Sequence, residues 1–370
     1  MLTQQESAPV RLFDPITLRG IEFRNRLWVS PMCMYAVDAE DGVPTDWHLV
    51  HLPAMARGGA GLVVMEATGV VPEGRISPRC PGLWNDAQEQ QLARIAELVH
   101  ASGGKLAIQL AHAGRKASTE PWLPEFTGAT VPEAEGGWQT VAPSAIAFDG
   151  LATPRALTSD EIAELVAAFA AAADRAVAAG LDAVELHGAH GYLIHEFLSP
   201  FSNEREDEYG GALENRARFL LEIVRSIRAA HPELPLIVRI SASEWLEDGF
   251  DLSEAKQLAA WLGEAGVDLI DVSSGGNTGS APIPVGPAYQ APLAGIVREA
   301  GVPVSTVGQI NDAATAQTVL TLGQADVITV GRAWLRNPYL ALNWANDLRA
   351  DVSSYRPEQL WRAFPAAKRR

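Results

Sequence analysis

Short apolar runs recur along the chain, and a helical pattern follows most of them. Most runs are β-branched or aliphatic at consecutive positions, which is typical of a strand buried on both faces. We therefore predict eight strands, at Arg26–Pro31, Gly61–Glu66, Lys105–Leu110, Asp182–His187, Leu236–Ile240, Asp268–Val272, Val302–Val307 and Asp326–Val330.

The segments between these runs carry signals for the start and end of helices. Thr158-Ser159-Asp160-Glu161 is a capping box that predicts a long Ala-rich helix ending at Gly180. Asp251 and Asn311-Asp312 open two further predicted helices. An Ala-Gly pair precedes three of the strands, and each of its glycines is predicted to end a helix in the left-handed conformation: Gly180, Gly266 and Gly301.

Eight βα units predict one (β/α)8 barrel that uses the whole chain, 1–370, as a single domain. A doubly wound sheet is the alternative, but its early G-x-G-x-x-G turn is missing. Two segments are too long to be simple connectors: 111–157 after strand three, interpreted as a capping insertion, and 188–211 after strand four. Both leave carboxyl ends of strands, where active sites of this fold lie. Segment 12–25, with Arg19-Gly20 at its tip, predicts a β-hairpin that closes the barrel floor.

Composition and charge exclude several classes of protein. Hydrophobic residues make up 47% and charged residues 20%, so the chain is not disordered. The net charge of −16 argues against binding to nucleic acid or an anionic membrane, since both need a cationic surface. The most membrane-like stretch, Ile162–Leu181, carries three charged residues and is interpreted as an Ala-rich helix outside the membrane.

The N-terminal residues and the cysteine content indicate the cellular compartment of the protein. Met1–Val10 has no apolar core, which predicts that no signal peptide is present. Cys33 and Cys80 are too few for a disulfide scaffold or a four-thiolate metal site. A reducing compartment is favoured, and we expect a cytoplasmic protein.

Glycines after the last two strands indicate a phosphate site. Gly308 follows strand seven and Gly331-Arg332 follow strand eight, where this fold often binds phosphate. Glycine lets backbone N–H groups approach an anion, and Arg332 can donate a forked pair of hydrogen bonds. The same pattern also fits glycines that only form turns, with Arg332 as a surface charge. A phosphate site is favoured because the residues follow two successive strands.

His187-Gly188-Ala189-His190-Gly191-Tyr192 is the sharpest local signal. Spacing alone leaves three interpretations open. The first is one core and one loop histidine, and the second is a pair of donors that polarise a carbonyl, with Tyr192 as proton donor. The third is a zinc site with Glu185 as a further ligand. Cys33, near Tyr35, fits a buried small apolar residue, and its neighbours in the fold, Gln109 and Arg239, can form the polar frame of a ring-shaped ligand.

Five blocks closely resemble the Old Yellow Enzyme family of FMN-dependent ene-reductases, above all its thermophilic-like class, which includes the xenobiotic reductases. The resemblance extends from Leu12 to about Phe364, and the blocks are highly specific as an ordered set. They are LFDPITLRGIEFRN (12–25), SPMCMY (30–35), QLAHAGRK (109–116), HGAHGYLIHEFLS (187–199) and YGGALENR (209–216).

The resemblance implies a ping-pong reductase of C=C bonds in α,β-unsaturated carbonyl or nitro compounds. NAD(P)H, with NADPH favoured, would reduce a non-covalent FMN, whose N5 would give hydride to the β-carbon. His187 and His190 would bind the substrate oxygen, Tyr192 would protonate the α-carbon, Cys33 would tune the flavin, and Tyr35 would line the site. The implied FMN contacts are Ser30, Pro31, Met32, Cys33, Ala67, Gln109 and Arg239 for the ring, and Gly308, Gly331 and Arg332 for the phosphate.

The resemblance also implies partners. Activated alkenes would be substrates, phenols would be inhibitors, and the protein would be a homodimer or homotetramer. In the tail, 350–370, Arg362 would then lie near a neighbouring subunit's flavin pocket, although Leu360 replaces the Tyr frequent in this class.

Other functions stay open at this point. A flavin-free lyase or aldolase would need a Schiff-base lysine inside a strand, and neither Lys105 nor Lys116 is well placed. A zinc hydrolase using His187 and His190, and a non-catalytic flavoprotein, are the remaining alternatives.

Overall fold

The structure is a computed structural model that describes residues 10–364. Residues 1–9, which contain most of the segment used to predict that no signal peptide is present, lie outside the described residues, as does the end of the tail, 365–370. Within 10–364, no helix is long and apolar enough to cross a membrane.

Eight parallel strands of the described chain close into a barrel, in the order β3-β4-β5-β8-β9-β10-β11-β12 and back to β3. The predicted (β/α)8 barrel and its eight strands are therefore confirmed, and the doubly wound alternative is wrong. In chain order the strands are β1 (Ile16–Leu18), β2 (Ile21–Phe23), β3 (Leu27–Val29), β4 (Val63–Gly69), β5 (Leu106–Ala111), β6 (Val141–Ala142), β7 (Arg155–Ala156), β8 (Ala183–Gly188), β9 (Leu236–Ser241), β10 (Leu269–Ser273), β11 (Val304–Thr306) and β12 (Val327–Val330).

Helices surround the barrel and are set by the capping residues that the sequence indicates. The side chains of Thr158, Asp251 and Asp312 each accept a hydrogen bond from a backbone N–H of the first turn. The described helices are α1 (Asp46–Arg57), α2 (Asp86–Ala101), α3 (Ser159–Ala178), α4 (Leu193–Leu198), α5 (Leu213–Arg216), α6 (Arg218–Ala230), α7 (Leu252–Glu264), α8 (Ala291–Arg298), α9 (Ala313–Thr321), α10 (Arg332–Arg336) and α11 (Leu340–Leu348). The glycines predicted to end helices have φ of +83°, +99° and +88° at Gly180, Gly266 and Gly301.

The N-terminal hairpin closes the floor of the barrel. β1 and β2 pair antiparallel around Arg19 and Gly20, which have φ of +44° and +80°. Leu18 and Phe23 pack against apolar side chains at the amino ends of the barrel strands: Trp28, Leu62, Val64, Ala107, Ala183, Ile237, Leu269 and Val327. Water is therefore excluded from this end, and the open end is the carboxyl end.

The two long segments lie after β5 and β8, as the sequence predicts. Segment 111–157 carries the short parallel pair of β6 and β7. Segment 188–211 contains α4, which the sequence analysis did not predict and which is buried at every residue. Both segments emerge at the open end of the barrel.

We expect Phe23→Ala to lower the free energy of unfolding by about 3–5 kcal/mol, because Phe23 is fully buried and its ring centroid lies 4.9 Å from that of Trp28. Urea denaturation measures this loss. Phe126, which is 38% exposed, provides a matched control, and Phe126→Ala should cause a much smaller loss. Equal losses would mean that the hairpin does not seal the floor.

Candidate active site

A layer of polar side chains lies above the apolar floor. Hydrogen bonds cross the barrel between strands that are not neighbours: Arg239 Nη1 on β9 donates to Ser30 Oγ at 3.1 Å, and Thr329 Oγ1 on β12 donates to Asp271 Oδ1 on β10 at 3.2 Å. Only side chains inside the barrel can make such bonds. The buried members of this polar layer are Ser30, Gln109, Glu185, Arg239, Asp271, Ser305 and Thr329.

The ionisable groups of the polar layer are two carboxyl groups, Glu185 and Asp271, and the guanidinium of Arg239. Arg239 Nε lies 3.2 Å from Asp271 Oδ2, and Ser305 Oγ donates to Asp271 Oδ1 at 2.5 Å. Gln109 Nε2 donates to Glu185 Oε1 at 2.7 Å. Burial and the nearby charge of Asp271 raise the pKa of Glu185 to about 8, against the opposing effects of Arg239 and Gln109. Glu185 therefore carries a proton at neutral pH.

A cavity of about 250 Å³ opens beside the polar layer at the ends of β3, β9, β11 and β12. Gly308, which lines it, has a φ of +117°, and a Cβ there would lie 2.7 Å from Gln290 Nε2, so only glycine fits this position. The cavity brings together most of the predicted cofactor contacts: Ser30, Pro31, Met32, Arg239, Gly308, Gly331 and Arg332.

The end of β8 turns sharply and places two histidines beside Tyr192. The ring centroid of His187 lies 5.1 Å from that of His190 and 4.9 Å from that of Tyr192. His190 has a φ of +60°, and Lys116 Nζ donates to its carbonyl oxygen at 2.9 Å. Its Nε2 is hydrogen-bonded to Ser273 Oγ at 2.7 Å. His190 Nδ1 lies 3.4 Å from His187 Nε2, and His187 Nδ1 is buried without a hydrogen-bond partner in the described chain.

The protonation states of these three residues follow from burial. Desolvation, together with the charge of Arg239, lowers the pKa of His187 and of His190 well below the usual range, so both rings are neutral. Burial raises the pKa of Tyr192 well above its usual range, so its phenol keeps the proton. The group can donate hydrogen bonds and a proton without carrying a charge of its own.

Cys33 and Tyr35 pack with Tyr192 in one small apolar cluster that also contains Ala67 and Cys80. The Cys33 thiol is hydrogen-bonded to Cys80, and this bond together with burial raises the pKa of Cys33, which keeps it a thiol. Tyr35 has a φ of +53°, a strained conformation of the kind that concentrates at functional sites.

The sequence analysis missed the residues that hold this segment. Glu66 Oε2 accepts the Met34 N–H at 2.8 Å, and its Oε1 lies 3.0 Å from His48 Nε2. The β4–β5 register shifts between Met65 and Ala67, so the bulge includes Glu66. The sequence did contain a signal for this role, because Glu66 is a charged residue at the end of an apolar run.

The zinc interpretation and the predicted role of Arg362 stand differently in the described chain. No group of three or more His, Cys, Asp or Glu side chains among residues 10–364 is arranged to hold a metal ion, so the zinc interpretation has no set of ligands there. Arg362 is exposed on a tail segment whose Leu360 and Phe364 pack against Leu342 and Val352.

Neither lysine fits the aldolase alternative. Lys105 precedes β5 and pairs with Asp182, with Nζ 2.7 Å from Oδ1, at the amino ends of the strands. Lys116 follows β5 and donates to the carbonyl oxygens of His190 and Gly276. Neither amine lies inside a barrel strand, where a Schiff base would need it.

The sequence profile of the NADH:flavin oxidoreductase / NADH oxidase family matches residues 11–351. The NADPH dehydrogenase of Halalkalibacterium halodurans is 45% identical over 355 residues, which cover 96% of this chain and 99% of that protein. Among solved structures, morphinone reductase is 31% identical with a TM-score of 0.77, covering 94% of this chain and 93% of its own. 2-Naphthoyl-CoA reductase has a TM-score of 0.83 at 26% identity, and the alignment covers 91% of this chain but only 52% of that longer one. The chain therefore belongs to the NADH:flavin oxidoreductase / NADH oxidase family, and within it to the Old Yellow Enzyme proteins that its sequence blocks resemble.

Proposed function

We propose that the protein is an FMN-dependent NAD(P)H ene-reductase that acts on α,β-unsaturated carbonyl or nitro compounds. The observation that carries the proposal is the buried, uncharged donor set of His187, His190 and Tyr192, with His187 Nδ1 left without a partner. Oxygen that gains negative charge during a reaction is stabilised by donors of this kind. NADPH is the favoured reductant because close relatives carry the name NADPH dehydrogenase.

The residues present fit FMN. Arg239 lines the cavity, and Gly308 and Gly331-Arg332, which also line it, offer the small residues and the guanidinium that a phosphate needs. The ring would be held by Ser30, Pro31, Met32, Cys33, Ala67, Gln109 and Arg239. When bound without a covalent link, FMN supplies hydride transfer between NAD(P)H and substrate.

The chain's own residues act on the substrate oxygen and on the α-carbon. His187 and His190 hold the carbonyl or nitro oxygen by N–H donation and stabilise the charge that grows there. Tyr192 keeps its phenolic proton because burial raises its pKa, and this proton goes to the α-carbon. Tyr35 and Cys33 line the space beside Tyr192.

The visible absorption spectrum of the purified protein tests the proposal most directly. Flavin bands that bleach with anaerobic NADPH and return on adding cyclohexenone are expected. A protein that stays colourless after FMN is supplied, or bands that do not return, would contradict it.

We expect Tyr192→Phe to slow the reoxidation of the flavin by alkene by about 10²–10⁴-fold, the usual contribution of a positioned proton donor. Flavin reduction by NADPH should be nearly unchanged, since Tyr192 has no part in it. Stopped-flow absorbance separates the two half-reactions. An equal loss in both would show that Tyr192 is not simply the proton donor.

His187→Ala and His190→Ala are expected to weaken the binding of phenols, which resemble the charged oxygen of the transition state. Each variant removes one donor to that oxygen and should weaken phenol binding at least several-fold. Titration of the flavin spectrum with p-hydroxybenzaldehyde measures this affinity. Unchanged affinity in both variants would place the oxygen site elsewhere.

The free thiols of Cys33 and Cys80 suit a reducing, cytoplasmic setting.

The oligomeric part of the proposal concerns the C-terminal tail. We further propose a homodimer or homotetramer in which Arg362, which is exposed, lies near the flavin pocket of a second copy. Light scattering of the Arg362→Ala variant and of the unmodified protein compares their oligomeric states. The KM of the variant for an alkene tests whether Arg362 lies near the flavin pocket of the second copy.

A further inference from the structure

Glu185 is a buried carboxyl that the proposed reaction does not use. It lies on β8 two residues before His187, within the polar layer, and it is 2% exposed. Its described hydrogen bond is the one that it accepts from Gln109, and no cation pairs with it directly. A buried ionised carboxyl without a paired cation is costly, so its state of charge depends on its surroundings.

The surroundings of Glu185 contain few charged groups. Beside it are Arg239 on the neighbouring strand β9 and Asp271 on the next strand, β10, which are paired with each other at 3.2 Å. The other side chains that face it are uncharged: Gln109 on β5, Ala67 on β4, the neutral ring of His187 on β8 itself, Ser30 after β3, Ser305 on β11 and Thr329 on β12. With Glu185 protonated, the polar layer is neutral overall, and with Glu185 ionised it carries one negative charge.

We propose that Glu185 is a positioning residue that gains and loses a proton to set the charge of the polar layer, acting on the flavin site through Gln109 and Arg239. The inference rests on the proposed function, in which Arg239 faces the flavin. Protonated Glu185 leaves the charge of Arg239 opposed by Asp271 alone, and its bond with Gln109 fixes the orientation of that amide.

The proton is coupled to reduction by electrostatics. Reduction of bound FMN by a hydride from NADPH would bring two electrons and one proton, release NADP⁺, and leave one additional negative charge in the site. That charge disfavours an ionised Glu185, because like charges repel strongly in a buried site. When Glu185 is ionised beforehand, a second proton from water therefore forms a new O–H bond on its carboxylate, and no bond forms between Glu185 and the flavin.

The flavin-free protein offers a first readout. The unfolded chain releases the Glu185 proton near the ordinary value of 4.5, whereas the folded chain holds it up to a pKa of about 8. Folding therefore binds a proton between these values, and the wild type loses stability as pH rises through this window. Glu185→Gln, which imitates the protonated carboxyl, should remove this part of the pH dependence, and the unfolding midpoints of the two proteins should separate as the pH rises from 5 to 8.

The midpoint potential of the bound flavin between pH 7 and pH 9.5 is the deciding measurement. In the wild type the potential should fall more steeply above pH 8, by about 30 mV more per pH unit, because one extra proton accompanies two electrons. Glu185→Gln should follow the wild type near pH 7 and lie above it at pH 9.5, with no break in slope.

Asp271→Asn is the matched variant. Asp271 raises the pKa of Glu185, so removing its charge should move the break to lower pH without abolishing it. Either of two results would overturn the inference: a wild-type midpoint potential that falls with pH at constant slope, or a break in slope that persists in Glu185→Gln. The first result needs no variant, so it decides the question even if Glu185→Gln folds poorly. Failure of FMN to bind would instead overturn the proposed function.

Discussion

The buried guanidinium of Arg239 is the constraint on which the open end of this barrel depends. A charge inside a protein needs a partner of opposite charge, and removing one partner of a buried pair typically costs about 3–5 kcal/mol. Asp271 supplies the opposite charge and Ser30 accepts a hydrogen bond from Arg239, while Ser305 and Thr329 fix Asp271 in turn. These contacts join five strands across the interior of the barrel.

The loops above the polar layer hold strained conformations through hydrogen bonds from other segments. Tyr35 and His190 both lie in the left-handed region, where a side chain is disfavoured. Each is held from outside its own segment. Glu66 accepts the Met34 N–H beside Tyr35, and Lys116 donates to the His190 carbonyl. Hydrogen bonds made by Glu66 on β4 and by Lys116, which follows β5, offset this strain.

How much the sequence could predict depends on whether the signal is local. The eight strands, the capped helices and the hairpin were all predictable, because each rests on a short pattern with a physical cause. Strand-end position also grouped Ser30, Arg239, Gly308, Gly331 and Arg332, and all five line the same cavity. Helix α4 was missed because its residues are buried on all sides and show no amphipathic period.

The partners of these residues were not predictable, because pairing inside a barrel joins positions far apart in the chain. Nothing local links Gln109 to Glu185 or Ser273 to His190, and each pair became visible only through the register of the strands. Glu185 shows the consequence most clearly. As a sequence position it was a candidate zinc ligand, yet inside the barrel its neighbours are an amide and a guanidinium already paired with Asp271. The same carboxyl is therefore better suited to binding a proton than to binding a metal. Its chemistry is decided by the charges that the closed barrel places on the strands beside it.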